Sequence, residues 1–357
     1  MKLPVNPPVL PMLAKRIDAL PSGDAVVFEP KWDGFRALVF KDGAEIEIQS
    51  REQKPLNRYF PELLDPLRQQ LPAQCVLDGE IVIATSHGLD FDLLQLRLHP
   101  AASRVALLSK QSPASIVFFD LLAEGERDLR GHTFEQRRAG LEEILASAAP
   151  PIHLTPATRD RDIAADWFRR FEGAGLDGVV AKPISGTYQP DKRVMFKVKH
   201  ERDCDCVVAG FRWYKDAERT AVGSLLLGLY DGAGALQHVG VCASFSAEKR
   251  RELVDFLAPY RHDAMANHPW KAWAGEGDGQ RVPGMQSRWS QGKDLSWEPL
   301  RPELVAEVAY EHMQGHRFRH MAHLRRWRTD KSPAECTYAQ LEVVPPEELS
   351  RIFATGR

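Results

Sequence analysis

The chain predicts an α+β first domain followed by a small, mostly β second domain. Through residues 1 to about 200, strand-like and helix-like segments follow one another without the regular βαβ rhythm of a doubly wound sheet. After His200 the texture changes to short strand candidates with one helix, a pattern that suits a small Greek-key barrel. At 357 residues and 43% hydrophobic content the chain is long and apolar enough for two buried cores. The division is placed so that residues 1–202 form the first domain and 203–357 the second.

In chain order, Pro4, Pro7, Pro8 and Pro11 make the start an extended arm. Val26-Val27-Phe28 has the β-branched and aromatic character of a strand. Residues 36–40 and 44–49, joined through Lys41-Asp42-Gly43, read as a hairpin with an Asp-Gly turn. Helical signals fall at 57–71, at 133–146, where Thr133 and Gln136 fit a capping box, and at 160–171, which stops at Gly173 and Gly175. Strand signals fall at 75–83, 114–119, 178–182 and 194–199.

In the second domain, 206–213, 224–230 and 236–243 are strand candidates, the last two joined by a turn at Asp231-Gly232-Ala233-Gly234. A helix follows over 246–257, and Leu304, Ala306, Val308 and Tyr310 alternate with Val305, Glu307, Ala309 and Glu311 as a half-buried strand would. Such a set suits a barrel of the OB type. Between them lies the stretch 262–302, in which Trp270, Trp273, Trp289 and Trp297 interleave with Lys271, Arg281, Arg288 and Lys293. It suits two readings equally, a stacking and phosphate-contact surface for nucleic acid or aromatic anchors tying a loop to the barrel.

A formal charge of −2 excludes a globally basic nucleic-acid binder, so any attraction to phosphate must come from local patches. The cysteines Cys75, Cys204, Cys206, Cys242 and Cys336 are odd in number and contain no C-x-x-C pair to open a zinc ribbon. Cys204 and Cys206 read as the two faces of a strand entry. Isolated thiols without a signal peptide predict a reducing compartment, and no apolar run reaches membrane-spanning length.

The chemistry concentrates in Lys31-Trp32-Asp33-Gly34-Phe35-Arg36, at the mouth of the first predicted sheet. A lysine amine is a weak nucleophile while protonated, so a site that uses one must desolvate it or set cations beside it. Asp33 and Arg36, two and five positions on, suit a ribose, and Gly34 lets backbone approach a ligand. The competing reading is a hairpin with a solvated charge cluster. Ser50-Arg51 closes that hairpin, with Arg51 placed to grip a phosphate. In Asp78-Gly79-Glu80 an acidic pair ends an apolar strand, a setting for a hard cation. Period-2 alternation lets one of Phe118 and Phe119 face a pocket; Phe119 is the choice as a purine platform, with both rings in the core the equal alternative. Asp177-Gly178 leads to Lys182, then to Lys197 and Lys199 on one strand face. Converging lysines repel one another unless a polyanion lies between them, and a triphosphate answers that need. Last, the run 316–331 holds Arg317, Arg319, Arg325, Arg326, Arg328 and Lys331. By default it is a solvated face or a nucleic-acid patch; its place suggests a second use, gripping departing pyrophosphate.

Taken in order, these segments resemble the six motifs of the covalent nucleotidyltransferase superfamily, which comprises ATP-dependent DNA ligases, RNA ligases and mRNA capping enzymes. Lys31-x-Asp33-Gly34-x-Arg36 resembles motif I, with Ser50-Arg51 as the element after it; Asp78-Gly79-Glu80 resembles motif III and Phe119-Asp120 the adenine-stacking motif. Asp177-Gly178 with Lys182 resembles motif IV, with aspartate where glutamate is usual; Lys197-x-Lys199 resembles motif V and Arg328-x-Asp330-Lys331 motif VI. Glu29, Trp297-Glu298-Pro299-Leu300-Arg301-Pro302 and Phe318-Arg319-His320 are most similar to compact bacterial ligases of the LigC type, themselves similar to the ligase module of bacterial end-joining proteins.

The resemblance implies a nucleotidyltransferase domain of ATP-grasp-like antiparallel sheets with flanking helices, followed by an OB-fold barrel. It implies adenylation of Lys31, with Lys197, Lys199, Asp330 and Lys331 assisting. It implies nucleotide contacts from Glu29, Asp33, Gly34, Arg36, Arg51, Phe119, Lys182 and Arg328, and metal ligation by Glu80 and Asp177. ATP and Mg²⁺ (or Mn²⁺) are the implied cofactors, and nicked double-stranded DNA, with repair or end-joining proteins, the implied partners. The implied protein is a monomer, away from membranes, cytoplasmic and associated with a bacterial nucleoid, acting in DNA repair. An RNA ligase or a GTP-using capping enzyme shares the core pattern, and a non-catalytic OB-scaffold binder is the rival outside enzymes. An NAD-dependent ligase does not fit, because the zinc-finger cysteines of that family are missing.

Overall fold

A computed structural model describes residues 1–86, 88–215, 219–271 and 295–341. The chain divides into two compact units, the first built on Met1–Lys199 and the second on His200–Val343.

The first unit has two main sheets. One orders its strands Leu13–Arg16, Arg193–Lys199, Gly178–Pro183, Val26–Pro30, and the other Ile152–Leu154, Ser115–Glu124, Gln74–Val82, Phe35–Asp42, Glu45–Ser50, with the short Arg127–Asp128 pairing off Ser115–Glu124. In the first sheet the apolar face carries Phe28, Val179 and Ala181 onto Ala164 and Trp167 of the helix Arg161–Arg170. Because side chains alternate along a strand, Glu29, Lys182, Lys197 and Lys199 fall on the opposite face.

The larger sheet is covered on both sides. Ala37, Val39, Ile48, Leu77 and Phe118 pack with Leu63 and Leu67 of the helix Pro61–Gln70. Against Leu38, Phe40, Val76 and Leu122 lies the N-terminal arm, whose Leu3, Val5, Val9 and Met12 are buried. The arm is tied down as well as packed, since the Gln49 amide both accepts from Val9 N (2.9 Å) and donates to Val9 O (2.5 Å). The helix Phe134–Ile144 starts with the capping box of Thr133 and Gln136, and the turn after Arg161–Arg170 ends at Gly175 with φ +81°. Two short helices, Phe91–Leu96 and Ala102–Gln111, carry too few buried residues to announce themselves in sequence; the second buries only Val105 and Leu108.

In the second unit a five-stranded antiparallel sheet runs in the order Leu236–Cys242, Val222–Tyr230, Arg202–Trp213, Glu298–Tyr310, His323–Trp327. Three hairpin-linked strands and a fourth returning beside the first make a Greek key. The fold is thus α+β with the expected OB-type arrangement; among the described residues no full ladder closes the barrel, and its two edges meet through a single parallel bridge, Cys242 to Ala322, with Ala322 N donating to Val241 O at 2.9 Å. The helix Ala247–Leu257 is capped by Ser246, which accepts from Lys249 N.

Three local expectations change. Cys204 and Cys206 are not on two faces: residues i and i+2 of one strand share a face, and the two thiols lie 3.7 Å apart in the core. The strand Glu298–Tyr310 is buried on both faces over Leu304–Ala306 and Val308–Tyr310, not half-buried. Trp270 is 1% exposed, donates from Nε1 to Leu236 O at 2.7 Å and packs edge-on to Trp297, so it is an anchor, not a platform for a base. Trp273, Trp289, Arg281, Arg288 and Lys293 lie outside the described residues.

Candidate active site

Lys31 follows the strand Val26–Pro30 and is fixed by two backbone hydrogen bonds of 2.9 Å, Lys31 N to Gly178 O and Asp177 N to Lys31 O. The strands can close this far because Gly178 has φ +130° and a Cβ there would lie 2.1 Å from Val198 O. Gly34 serves the same end on the other sheet, where a Cβ would meet Ile81 O at 2.1 Å.

The Lys31 amine, its side chain 20% exposed, donates to Asp177 Oδ2 at 2.5 Å, and the Lys199 amine reaches the same oxygen at 3.1 Å. Register explains the convergence: Lys199 sits opposite Gly178, and Lys197 opposite Val180, which is itself opposite Glu29. Arg16, opposite Lys197 on the edge strand, joins the same row and was not singled out in the sequence.

Lys182 is buried; its amine pairs with Glu29 Oε2 at 2.8 Å, donates to Phe119 O at 2.8 Å and lies 4.7 Å from the Phe119 ring centre. Glu29 is itself buried and also faces Arg138 Nη1 at 3.4 Å. Burial pushes its carboxyl up, against the pull of Lys182 and Arg138.

Across from these, Arg36 stacks on Phe119 at 4.5 Å and is gripped by Asp78 through Nε (2.5 Å) and Nη2 (2.6 Å). Alternation sends Phe118 into the core of the larger sheet and Phe119, the extra residue where the pairing of Gln74–Val82 with Ser115–Glu124 shifts between Asp78 and Gly79, to the other face. There Phe119 is buried too, at 8% exposure, in the cluster with Phe28 and Trp167; both rings are thus buried, the alternative weighed from sequence. Glu80 accepts from Gly34 N at 3.1 Å, and burial pushes its carboxyl up to about 7 although Arg36 and Lys31 oppose the rise. Asp33 is partly buried. Arg51 is exposed in the turn after Glu45–Ser50.

In the second unit Arg328, Asp330 and Lys331 form a cluster with residues the sequence did not flag. Arg328 Nη1 donates to both Asp205 oxygens at 3.0 Å and lies 3.4 Å from Glu307 Oε2, while Nε and Nη2 hold Asp330 at 2.9 and 2.8 Å. Lys331 Nζ reaches Asp205 Oδ2 at 2.7 Å. Tyr188 and Arg138 in the first unit were likewise missed; each acts through a loop or helix contact that no local period encodes.

Comparison with known proteins agrees with this geometry. The family model described as ATP dependent DNA ligase domain matches residues 11–199, and that of the ATP dependent DNA ligase C terminal region matches 218–331. The chain is 54% identical over 353 residues to DNA ligase C2 of Mycolicibacterium smegmatis, covering 97% of each. It is 54% identical over 348 residues to DNA ligase C of Mycobacterium tuberculosis, covering 96% of each. Among solved structures, a chain from work on Lig E DNA ligases aligns with TM-score 0.54 at 17% identity over 89% of this chain and 99% of that one, a likeness of fold. A set of lysines gathered on one sheet face, an OB-type second unit and matches along nearly the whole chain lead to one assignment: this chain belongs to the ATP-dependent DNA ligases, in their compact LigC-type form.

Proposed function

We propose that the chain seals 5′-phosphate/3′-hydroxyl nicks in duplex DNA, with Lys31 as the residue that carries adenylate. The observation behind this reading is the partly exposed Lys31 amine on Asp177, on the same sheet face as Lys182, Lys197 and Lys199. Lys31 Nζ, freed of its proton with Asp177 at hydrogen-bond distance to orient or accept it, attacks the α-phosphorus of ATP; the N–P bond forms as the bond to pyrophosphate breaks. A 5′-phosphate oxygen of the nick then takes the adenylate, returning the amine. Finally the 3′-hydroxyl attacks that phosphorus and AMP leaves.

Positioning and charge carry most of such a reaction, which is why the groups sit on rigid strands. Lys197 and Lys199 offset charge on the transferring phosphate, Phe119 supplies the adenine shelf, and Glu29, Asp33, Gly34, Arg36 and Lys182 line the nucleotide. Arg51 meets a phosphate from the exposed turn. Arg328, Asp330 and Lys331 serve the pyrophosphate-releasing step, for which Arg328 and Lys331 must leave Asp205.

Glu80 and Asp177 both lie within electrostatic reach of Lys31 and offer the carboxylate oxygens that a hard cation takes. They would hold Mg²⁺, or Mn²⁺ in its place. Bound there, the metal neutralises phosphate charge.

The proposed setting is repair of DNA breaks in the bacterial cytoplasm, by a monomer alone or with end-joining proteins; no helix of the described residues is long and apolar enough to cross a membrane. Incubation with α-labelled ATP tests the core of the reading. Wild type is expected to gain one AMP by mass and Lys31→Ala none, with the fold intact; label on Lys31→Ala would reject Lys31 as nucleophile. Parallel trials with GTP, and with nicks in RNA, separate this reading from a capping enzyme or an RNA ligase.

A further inference from the structure

We propose that Tyr188 is a positioning residue for lysine adenylation: its hydroxyl locks the Asp78 carboxylate, which in turn aims the Arg36 guanidinium at the ribose of the bound nucleotide. This deepens the proposed function and rests on Arg36 being a ribose contact.

Tyr188 belongs to no strand. It lies in the connection between Gly178–Pro183 and Arg193–Lys199, with its backbone N held by Arg130 O at 2.9 Å and its side chain buried at 4% exposure. The hydroxyl donates to Asp78 Oδ2 at 2.6 Å and accepts from Met12 N at 3.1 Å. Asp78 is fully buried, and the same Oδ2 receives Arg36 Nη2 at 2.6 Å while Oδ1 receives Nε at 2.5 Å. Arg36 Nη2 also donates to Met12 O at 3.3 Å. Tyr188, Asp78, Arg36 and Met12 therefore close a ring of contacts around one guanidinium, whose Cζ lies 4.5 Å over the Phe119 ring centre.

Each link has a reason. A carboxylate bound only to a guanidinium can swing with it, because χ2 of aspartate is soft. A third donor on the far side of Oδ2 fixes the plane of the carboxylate and hence of the guanidinium. Burial beside Asp78 pushes the phenol well up, so it stays a donor at any working pH. The buried donor is not needed to fill space: phenylalanine has the same ring, and only the oxygen enters the ring of contacts.

The test compares Tyr188→Phe, Arg36→Ala and the double variant, in self-adenylation with ATP, 2′-deoxyATP and 3′-deoxyATP. Losing one hydrogen bond to a charged group is worth roughly tenfold. Tyr188→Phe is therefore expected to raise the KM for ATP about tenfold, to change kcat little, and to narrow the preference for ATP over the deoxy analogue that Arg36→Ala also stops distinguishing. In the double variant the Tyr188 change should add nothing to Arg36→Ala. Asp78→Asn, which keeps shape and loses charge, should show the same narrowing and guards against a folding defect in one variant. Wild-type KM and discrimination in Tyr188→Phe, or losses that add to those of Arg36→Ala, would overturn the proposal. If Arg36→Ala itself keeps wild-type ATP use, the ribose reading of Arg36 fails first, and the proposal with it.

Discussion

Glu80 is a carboxyl whose charge its surroundings oppose, and this has a measurable consequence without metal or substrate. Folding lifts its pKa from 4.5 to about 7, so between those values the folded chain holds a proton that the unfolded chain has released. Stability from this group is greatest at low pH and falls as pH rises through the window, by about 3 kcal/mol in all. Unfolding by denaturant in EDTA at pH 5 and pH 8 is expected to show that decline in wild type, and a flatter profile in Glu80→Gln. An equal slope in both would remove Glu80 as the cause. Lys182 makes the opposite kind of demand. Glu29 is buried and, among the described residues, keeps only the more distant Arg138 as an ion partner when Lys182 is replaced by methionine. Lys182→Met is expected to lose adenylation and about 3 kcal/mol of stability together, since breaking a buried pair strands a charge. Lys31→Ala, with its partner Asp177 still held by Lys199, should lose adenylation at much smaller cost in stability.

At the scale of elements, a lysine far from this chemistry closes a helix. Lys41 is buried, and its amine donates to Arg68 O at 2.7 Å and Leu71 O at 2.5 Å, capping Pro61–Gln70 from the neighbouring strand. Lys41→Ala leaves those carbonyls without their donor and is expected to cost about 1–3 kcal/mol in urea unfolding, with kcat for adenylation unchanged. The same scale explains what could be read in advance. Pairs two apart, Glu29 and Lys31, Val180 and Lys182, Lys197 and Lys199, share a face by the period of a strand, so their convergence follows from spacing alone. The hairpin and the capping box are equally local. Tyr188, Asp205 and Trp270 could not be read in that way, because a connection, a strand face and a long loop bring them to partners with no period in sequence. The burial of Glu298–Tyr310 on both faces was hidden for a related reason, since what covers a sheet is decided by elements elsewhere in the chain.

At the scale of the whole molecule, net charge and the division of labour between the units set expectations for kinetics. The chain is formally at −2, so duplex DNA must be met by local cations, and many of those in 316–331 are already paired within the second unit. Arg328 and Lys331 both rest on Asp205, with Arg328 also near Glu307; hydrogen bonding to Asp330 and the charges of Asp205 and Glu307 hold the Arg328 pKa above its ordinary value. Their work in the proposed reaction is confined to the step that expels pyrophosphate, because a nick that already carries adenylate has no triphosphate to grip. Lys331→Ala is therefore expected to slow self-adenylation by roughly tenfold or more, the scale of one lost charge-assisted contact to phosphate. Sealing of a pre-adenylated nick by the same variant should stay within about twofold of wild type, which is under half a kcal/mol. Single-turnover measurements of the two steps decide the point: equal losses in both would place Lys331 at the DNA instead of the leaving pyrophosphate. If the loss is confined to adenylation, the Asp205 pairing becomes the cost that binding of ATP must overcome. Asp205→Asn would then lower the KM for ATP and leave sealing unchanged.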